Sequence, residues 1–374
     1  MSTEPLRILD RKRFFRRILL AFCAPLAAAC GAEARSAEPD VVRLTATVEH
    51  TRSLSPSRVG LSSANSISLD SHGRIYIGDG SDHSIKAFGA DGVQGAVIGT
   101  AGAGPGEFVA LLSAGVLADT VFGWDGTSNR LTMFSGNGKY ARTMALHRVG
   151  RPPYSRMRAM DDSLLVASGW VLGVHERPLV EVFDRHGRSV GTMMDVERML
   201  SPANPELLRH TFVFADGRDG VVFSTLHGYD TIMAYSPEGR LLGAGRINLE
   251  NHEPVLDLSR LLARTGKSLQ RPDGSWAQDR HFAVLKLVAL DDGLVAVQYG
   301  LLQFEHGTDL ISEGGPVVVM RLGADGVIRR VTQVESPGAL LGRTERGHGL
   351  ILRWSGSDLE KLDLFHLTVA PEKA

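Results

Sequence analysis

Short runs of alternating apolar and polar residues dominate the chain from Ile67 onward. The first of them reads ISLDSHGRIYIGDGSDHSIKAFGADGVQGAVIG, in which apolar pairs such as Ile75 and Ile77 are separated by turn residues. Alternation with a period of two is typical of half-buried strands, and the close spacing of the runs indicates hairpins. The pattern therefore predicts four strands of one antiparallel sheet.

An apolar residue followed four places later by glycine marks a repeat of this unit. Glycine supplies the positive φ of a tight turn, so each pair is predicted to end a third strand and open the hairpin to a fourth. Successive pairs are 46, 49, 52 and 87 residues apart, and the first three spacings match the period of about 40–50 residues of a propeller blade. The pairs are Phe88/Gly92, Phe134/Gly138, Phe183/Gly187, Tyr235/Gly239 and Leu322/Gly326.

These repeats predict an all-β fold, a six-bladed β-propeller of four-stranded antiparallel blades over residues 41–370. The last repeat supplies only three strands, and residues 41–50 are predicted to add its outer strand, which closes the ring and removes an exposed edge. The long gap contains residues 251–279, whose apolar spacing is helical, and this segment is predicted to be an insertion between blades 4 and 5. A seventh, degenerate blade is the alternative.

Three segments of the first repeat, GRIYIGD, IKAFGADG and GTAGAGPGEF, resemble the NHL-type repeat of six-bladed propellers. The likeness is good in blade 1, partial in blades 2 to 4 and poor in the last two. It implies that residues 99–108 cross from one blade to the next and that Phe108 packs between their sheets. A phosphate-binding loop is disfavoured, because the dinucleotide fingerprint and the Gly-Lys-Ser/Thr of a P-loop are both absent.

Residues 1–30 have the composition of an export signal. The basic stretch RKRFFRR precedes an apolar run that is too short to span a membrane. The sequence LAAAC ending at Cys30 resembles a bacterial lipobox, with Ala27 where leucine is preferred, so lipid attachment at Cys30 and plain cleavage nearby both stay open. Either route predicts an exported protein, periplasmic or lipid-anchored to the cell envelope.

Charge and cysteine content narrow the function classes further. Cys23 and Cys30 both lie in the export signal, so the remaining chain has no disulfide, thiolate nucleophile or cysteine-based metal site. Without the six basic and two acidic residues of that signal the chain is mildly acidic, which disfavours nucleic acid as a partner. Membrane contact is expected only through an N-terminal lipid.

The crossovers between blades are predicted to place polar and aromatic residues on one rim, around the mouth of the central channel. Arg156, Arg209 and Arg280 would form a cationic mouth suited to a carboxylate, sulfate or phosphorylated ligand. Alternatively, they pair with nearby acids such as Glu206 and Asp279 and hold the loops in place. The full set of rim candidates is Arg58, Tyr154, Arg156, Arg209, His210, Trp276, Arg280 and His281.

Histidines in four internal loops suggest a metal site, which geometry disfavours. His83, His175, His227 and His306 belong to different blades, and a metal reaches only about 2 Å to each ligand. We therefore predict no cofactor, with a divalent metal as a minor alternative.

The residues favour a binding or scaffold module over an enzyme, since propellers host many unrelated functions and no convergent acid and base pair is evident. The expected partner is a protein, peptide or glycan held on the crossover rim, and no catalytic residue is assigned. The alternative is a lactonase-like hydrolase or a lyase, metal-dependent or not, acting in the central channel. A tight cluster of His210, His281 and an acid would favour that alternative.

Overall fold

The computed structural model describes ten segments of the chain, all built on β-strands. They are residues 43–54, 60–146, 154–171, 178–195, 211–226, 231–247, 280–305, 308–311, 315–355 and 361–372. The export signal predicted at 1–30 and the insertion predicted at 251–279 lie outside them. Among the described residues, no helix has the length and apolar character needed to cross a bilayer.

The strands form six four-stranded antiparallel blades, as the repeat predicts. Blade 1 contains β2 (Ala64–Leu69), β3 (Ile75–Asp79), β4 (Ser84–Phe88) and β5 (Gln94–Ile98). A crossover of β6 (Thr100–Ala101) and β7 (Glu107–Phe108) leads to blade 2, with β8 (Leu111–Leu117), β9 (Thr120–Asp125), β10 (Arg130–Ser135) and β11 (Tyr140–Ala145). Blade 3 contains β12 (Tyr154–Ala159), β13 (Leu164–Val171), β14 (Pro178–Asp184) and β15 (Ser189–Asp195).

The remaining blades follow the same order, with one extra strand in blade 5. Blade 4 contains β16 (Thr211–Arg218), β17 (Val221–Leu226), β18 (Thr231–Tyr235) and β19 (Leu241–Arg246). Blade 5 contains β20 (Arg280–Ala289), β21 (Leu294–Glu305), β23 (Val317–Leu322) and β24 (Ile328–Val334), and the short β22 (Thr308–Ile311) pairs with the end of β21. Blade 6 contains β25 (Ala339–Arg343), β26 (Gly349–Ser355), β27 (Lys361–Pro371) and β1 (Leu44–Leu54).

The ring closes with a strand from the other end of the described chain. β1 pairs antiparallel with β27 from Leu44↔Pro371 to Leu54↔Leu362 and forms the outer strand of blade 6. The segment predicted at 41–50 to close the ring thus overlaps β1 from Leu44 onward. Pairing of this kind covers the backbone edge that β27 would otherwise expose.

The first strand of each blade lines the centre of the ring. These strands contact one another in sequence, β2 with β8, β8 with β12, β12 with β16, β16 with β20, β20 with β25 and β25 with β2. Polar side chains join neighbouring strands, since Ser66 Oγ accepts from Ala114 N at 2.8 Å and Ser113 Oγ accepts from Met157 N at 2.9 Å. Side chains on these six strands therefore define the central channel.

The cores lie between neighbouring blades and consist of side chains from both sheets. Phe108 is fully buried and packs with Tyr76 and Ile98 of blade 1 and Phe134 of blade 2, the position that the sequence predicts for it. Its loop is held by Glu107, whose carboxylate accepts from Gly104 N at 2.7 Å. The glycine-rich stretch from 99 to 108 is therefore a blade-to-blade crossover.

The glycine of each predicted pair has a positive φ in the turn between the third and fourth strands. Gly92 has φ 80°, and a Cβ there would lie 3.2 Å from Leu54 Cδ2. Replacing Gly92 by valine should destabilise the protein by more than 1 kcal/mol, because a branched residue disfavours this conformation. Thermal unfolding measures the effect. Gly220→Val is the matched comparison, since Gly220 has φ 75° and nothing within 4 Å of its Cβ position, so it has the backbone strain without the contact with Leu54. Equal stability of wild type and Gly92→Val would contradict the assigned turn.

His366 on β27 makes the stability of blade 6 depend on pH. Burial lowers the pKa of His366, and His348 and Arg52 lower it further, while its Nε2 atom is buried and has no hydrogen-bond partner in the described chain. Because the unfolded chain then binds the proton more tightly, stability should fall as the pH drops below about 6.5. We expect His366→Leu to flatten the decline of melting temperature between pH 7 and pH 5. An identical decline in both proteins would contradict this assignment.

Candidate functional site

Tyr154 begins β12 at the crossover end of the channel, but its side chain lies between blades. It is 1% exposed, its hydroxyl donates to the Glu181 carboxylate, and its ring meets the Phe183 ring edge-on. Its carbonyl accepts from Trp124 Nε1 at 2.9 Å, which ties β12 to blade 2. Tyr154 thus fixes where β12 starts and, with it, the residues that follow on this strand.

Arg156 lies two residues further along β12 and is only partly accessible. Its guanidinium carbon lies 4.5 Å from the centre of the Phe214 ring on β16, a distance at which a cation is attracted to the face of an aromatic ring. Among the residues that the structure describes, Arg156 forms no ion pair or hydrogen bond. The ring orients the guanidinium and leaves its N–H groups available to an acceptor.

The other rim candidates fall at or beyond the limits of the described chain. Arg280 and His281 are the first two residues of β20, where their backbones pair with Gln303 and Leu302, so they begin the inner strand of blade 5 at its crossover end. The candidates outside the described residues are Arg58, Arg209, His210 and Trp276. Glu206 and Asp279, the acids predicted as alternative partners of the rim arginines, also lie outside the described residues.

Two cations that the sequence analysis missed accompany Arg156 in the channel. Arg158 shares the face of β12 with Arg156, since the two residues are on alternate positions of the same strand. Lys286 lies on β20, opposite Gln298 of β21. Neither Arg158 nor Lys286 has an ion pair or hydrogen bond within the described residues. We call Arg156, Arg158 and Lys286 the channel cations.

The channel cations lie close enough to disfavour one another's charge. Burial, with an added contribution from Arg158, lowers the pKa of Arg156 to about 9, so Arg156 still carries its proton at neutral pH. Burial also lowers the pKa of Lys286 well below its usual value, with added contributions from Arg156 and Arg158. The side chain of each channel cation keeps some accessible surface because it lines the channel. Protein atoms around it replace most of its hydration shell. Burial and the neighbouring cations thus both oppose the charged forms in this cluster, and no acid pairs with these side chains among the described residues.

Arg343, the last residue of β25, lies at the end of the channel opposite the crossovers. Its Nη1 donates to Asp216 Oδ2 at 2.8 Å, and its Nη2 donates to the carbonyls of Ala159, Met160 and Gly217 at 2.6 to 3.0 Å. Asp216 is fully buried and also accepts from Ala289 N at 3.1 Å. One side chain thus joins blades 3, 4 and 6, and its carboxylate partner is committed to it.

A cavity of about 190 Å³ opens on this second face, which we call the turn rim because the turns from first to second strands form it. Three arginines line the cavity: Arg158, Arg218 and Arg343. Arg218 donates to Asp291 at 2.7 Å and Arg343 to Asp216, whereas Arg158 has no such partner in the described chain. The acids lining the cavity are Asp70, Asp119, Asp161, Asp162 and Glu345.

A search of the described residues finds no group of three or more histidine, cysteine, aspartate or glutamate side chains able to hold a metal ion. Of the four loop histidines, His83 is described, while His175, His227 and His306 lie outside the described segments. The predicted absence of a metal therefore stays a prediction for the full chain.

Comparison with known proteins supports the fold. A member of the DUF4221 family from Bacteroides vulgatus is 11% identical with a TM-score of 0.56, covering 88% of this chain and 99% of its own. A Bacteroides fragilis protein that carries the name exported protein is 11% identical with a TM-score of 0.52, covering 90% and 98%. Virginiamycin B lyase from Staphylococcus aureus has a TM-score of 0.43 at 8% identity, covering 87% and 100%. No protein-family model and no curated protein matches the sequence.

Proposed function

We propose that the protein is an exported, non-catalytic binding module that holds a protein, peptide or glycan on its crossover rim. Arg156 carries this proposal. It lies at the crossover end of the channel, is oriented by the Phe214 ring and has no acidic partner in the described chain. A guanidinium placed in this way is suited to a planar carboxylate or a sulfate.

The preferred partner is therefore anionic, an acidic peptide or an acidic glycan. Arg158 adds positive charge behind Arg156, which attracts an anionic ligand over several ångströms in a channel partly free of water. The arginine at position 280 begins the inner strand of blade 5 at the same end, and Arg58 and Arg209 belong by sequence to the crossovers of that rim. A cationic mouth made from several blades supports recognition of more than one acidic group.

We also infer that the repeats are of NHL type. Supporting this, the Gly-Pro-Gly-Glu-Phe loop of blade 1 forms a crossover with a buried Phe108, and the turn glycines recur in five blades with φ between 76° and 92°. A repeat of NHL type does not identify the binding partner, because one fold serves many functions.

In this proposal the signal at residues 1–30 exports the protein, which is then either released into the periplasm or attached to the envelope through a lipid on Cys30. Mass spectrometry of the protein from an export host distinguishes the two routes. Acylated Cys30 as the first residue would establish the lipid anchor, and an unmodified N-terminus near this position would establish plain cleavage.

A panel of immobilised peptides and oligosaccharides tests the binding function. We expect acidic members to retain the protein and their amidated or desulfated counterparts to release it, with retention falling as salt is raised. The proposal fails if neutral and acidic members are retained equally, or if none is retained at low salt.

A further inference from the structure

We propose a second binding site, on the turn rim, in which Arg158 holds the single carboxylate or phosphate group of a small ligand. This site lies at the opposite end of the channel from the crossover rim, and its ligand is a different one from the partner proposed there. Arg158 lines the cavity of about 190 Å³, and Arg156 and Lys286 lie deeper in the channel behind it.

The hydrogen bonds of the three cavity arginines single out Arg158. Arg343 uses both terminal nitrogens on Asp216 and on backbone carbonyls, and Arg218 is bonded to Asp291 and to the carbonyl of Glu345. Arg158 has neither an ion pair nor a hydrogen bond in the described chain. Its guanidinium has five N–H donors and no acceptor, and it is the arginine of this cavity without a partner among the described residues.

The surrounding charges favour an anion at this position. Burial lowers the pKa of Arg158, and Arg343 lowers it further against the opposing effect of Asp216. Asp216 is already bonded to Arg343, and no acid bonds to Arg158 in the described chain. Removing charged groups from water without a counter-charge is costly, and a bound anion offsets this cost.

The size and the mouth of the cavity define the ligand. Pockets for drug-sized molecules are about 300–1,000 Å³, so this cavity fits one acidic group on a small molecule. Asp119, Asp161, Asp162 and Glu345 lie in the turns around the opening. These carboxylates repel a polyanion and tolerate amino or hydroxyl groups, so we assign a small ligand with one anionic group and polar or cationic substituents.

Thermal unfolding in the presence of small anions tests this site. Inorganic phosphate, acetate and glycine are compared, each against sodium chloride at equal ionic strength. A ligand at one hundred times its dissociation constant should raise the melting temperature by about 4 °C. A response to phosphate assigns a tetrahedral oxyanion, and a response to acetate or glycine assigns a carboxylate.

Variants separate this site from non-specific salt effects. Arg158→Met should remove the shift, with binding about 10- to 100-fold weaker, and should raise the melting temperature without anion because it relieves repulsion. Arg158→Lys keeps the charge and should retain part of the shift, which guards against misfolding of the first variant.

Arg329→Met is the control, because Arg329 is exposed and pairs with Asp325. No shift in wild type beyond sodium chloride, or a full shift in Arg158→Met, would overturn the proposal and leave crossover-rim binding untouched.

Discussion

Replacing Arg343 by methionine is expected to destabilise the protein by about 3–5 kcal/mol, because it leaves the buried carboxylate of Asp216 without its cation. Arg343 also donates to carbonyls of blades 3 and 4, so its loss removes contacts between three blades at once. Denaturant unfolding measures the change as a shift of the midpoint at constant slope.

The double variant Arg343→Met/Asp216→Asn separates the ion pair from the packing. Asparagine keeps an acceptor for Ala289 N and removes the charge that would be left unpaired. We expect the double variant to be more stable than Arg343→Met alone by at least 1 kcal/mol. A loss equal to that of Arg343→Met, or equal to the sum of the two single losses, would show that the pair is not coupled and would refute its role in joining the blades.

Replacing Trp124 by alanine is expected to cost about 3–5 kcal/mol, as is typical of large aromatic residues in cores. Trp124 is fully buried in the cluster between blades 2 and 3, where it packs with Met157 and Leu165. Its indole N–H also holds the carbonyl of Tyr154, two residues before Arg156. The same unfolding measurement applies, and ligand binding at the crossover rim should weaken because β12 loses this contact.

Trp124→Phe is the matched control for the hydrogen bond. It keeps most of the apolar volume and loses the N–H donor, so we expect a smaller loss than for alanine, with about 1 kcal/mol arising from the bond itself. An alanine variant with an unchanged midpoint would contradict the packing described for this cluster.

The blades were predictable because their signals are local. A positive φ at Gly92 or Gly239 and the alternation of strands such as β3 follow from a few adjacent residues. The closing strand was predictable because three strands in the last repeat require a fourth. The segment at 251–279 lies outside the described chain, so its predicted helical character and the choice of an insertion stay predictions.

The channel was harder to predict because it joins residues far apart in sequence. Arg158 and Lys286 come from β12 and β20, and only closure of the ring brings them together. The sequence contains a usable signal for these channel residues, because each is a charged residue within an inner strand. Arg158 lies in YSRMRA and Lys286 in FAVLKLVAL. The placement of Tyr154 between blades depends on the buried carboxylate of Glu181, which sequence spacing does not reveal.

Calorimetric titration of the strongest anionic ligand from the panel tests the central claim, recognition at the crossover rim, most directly. Wild type is compared with Arg156→Gln and with Arg329→Gln, in which an exposed arginine of the same charge is neutralised. We expect a 10- to 100-fold weaker affinity, about 1.5–3 kcal/mol, for Arg156→Gln and no change for Arg329→Gln. Equal affinities in all three folded proteins would contradict it.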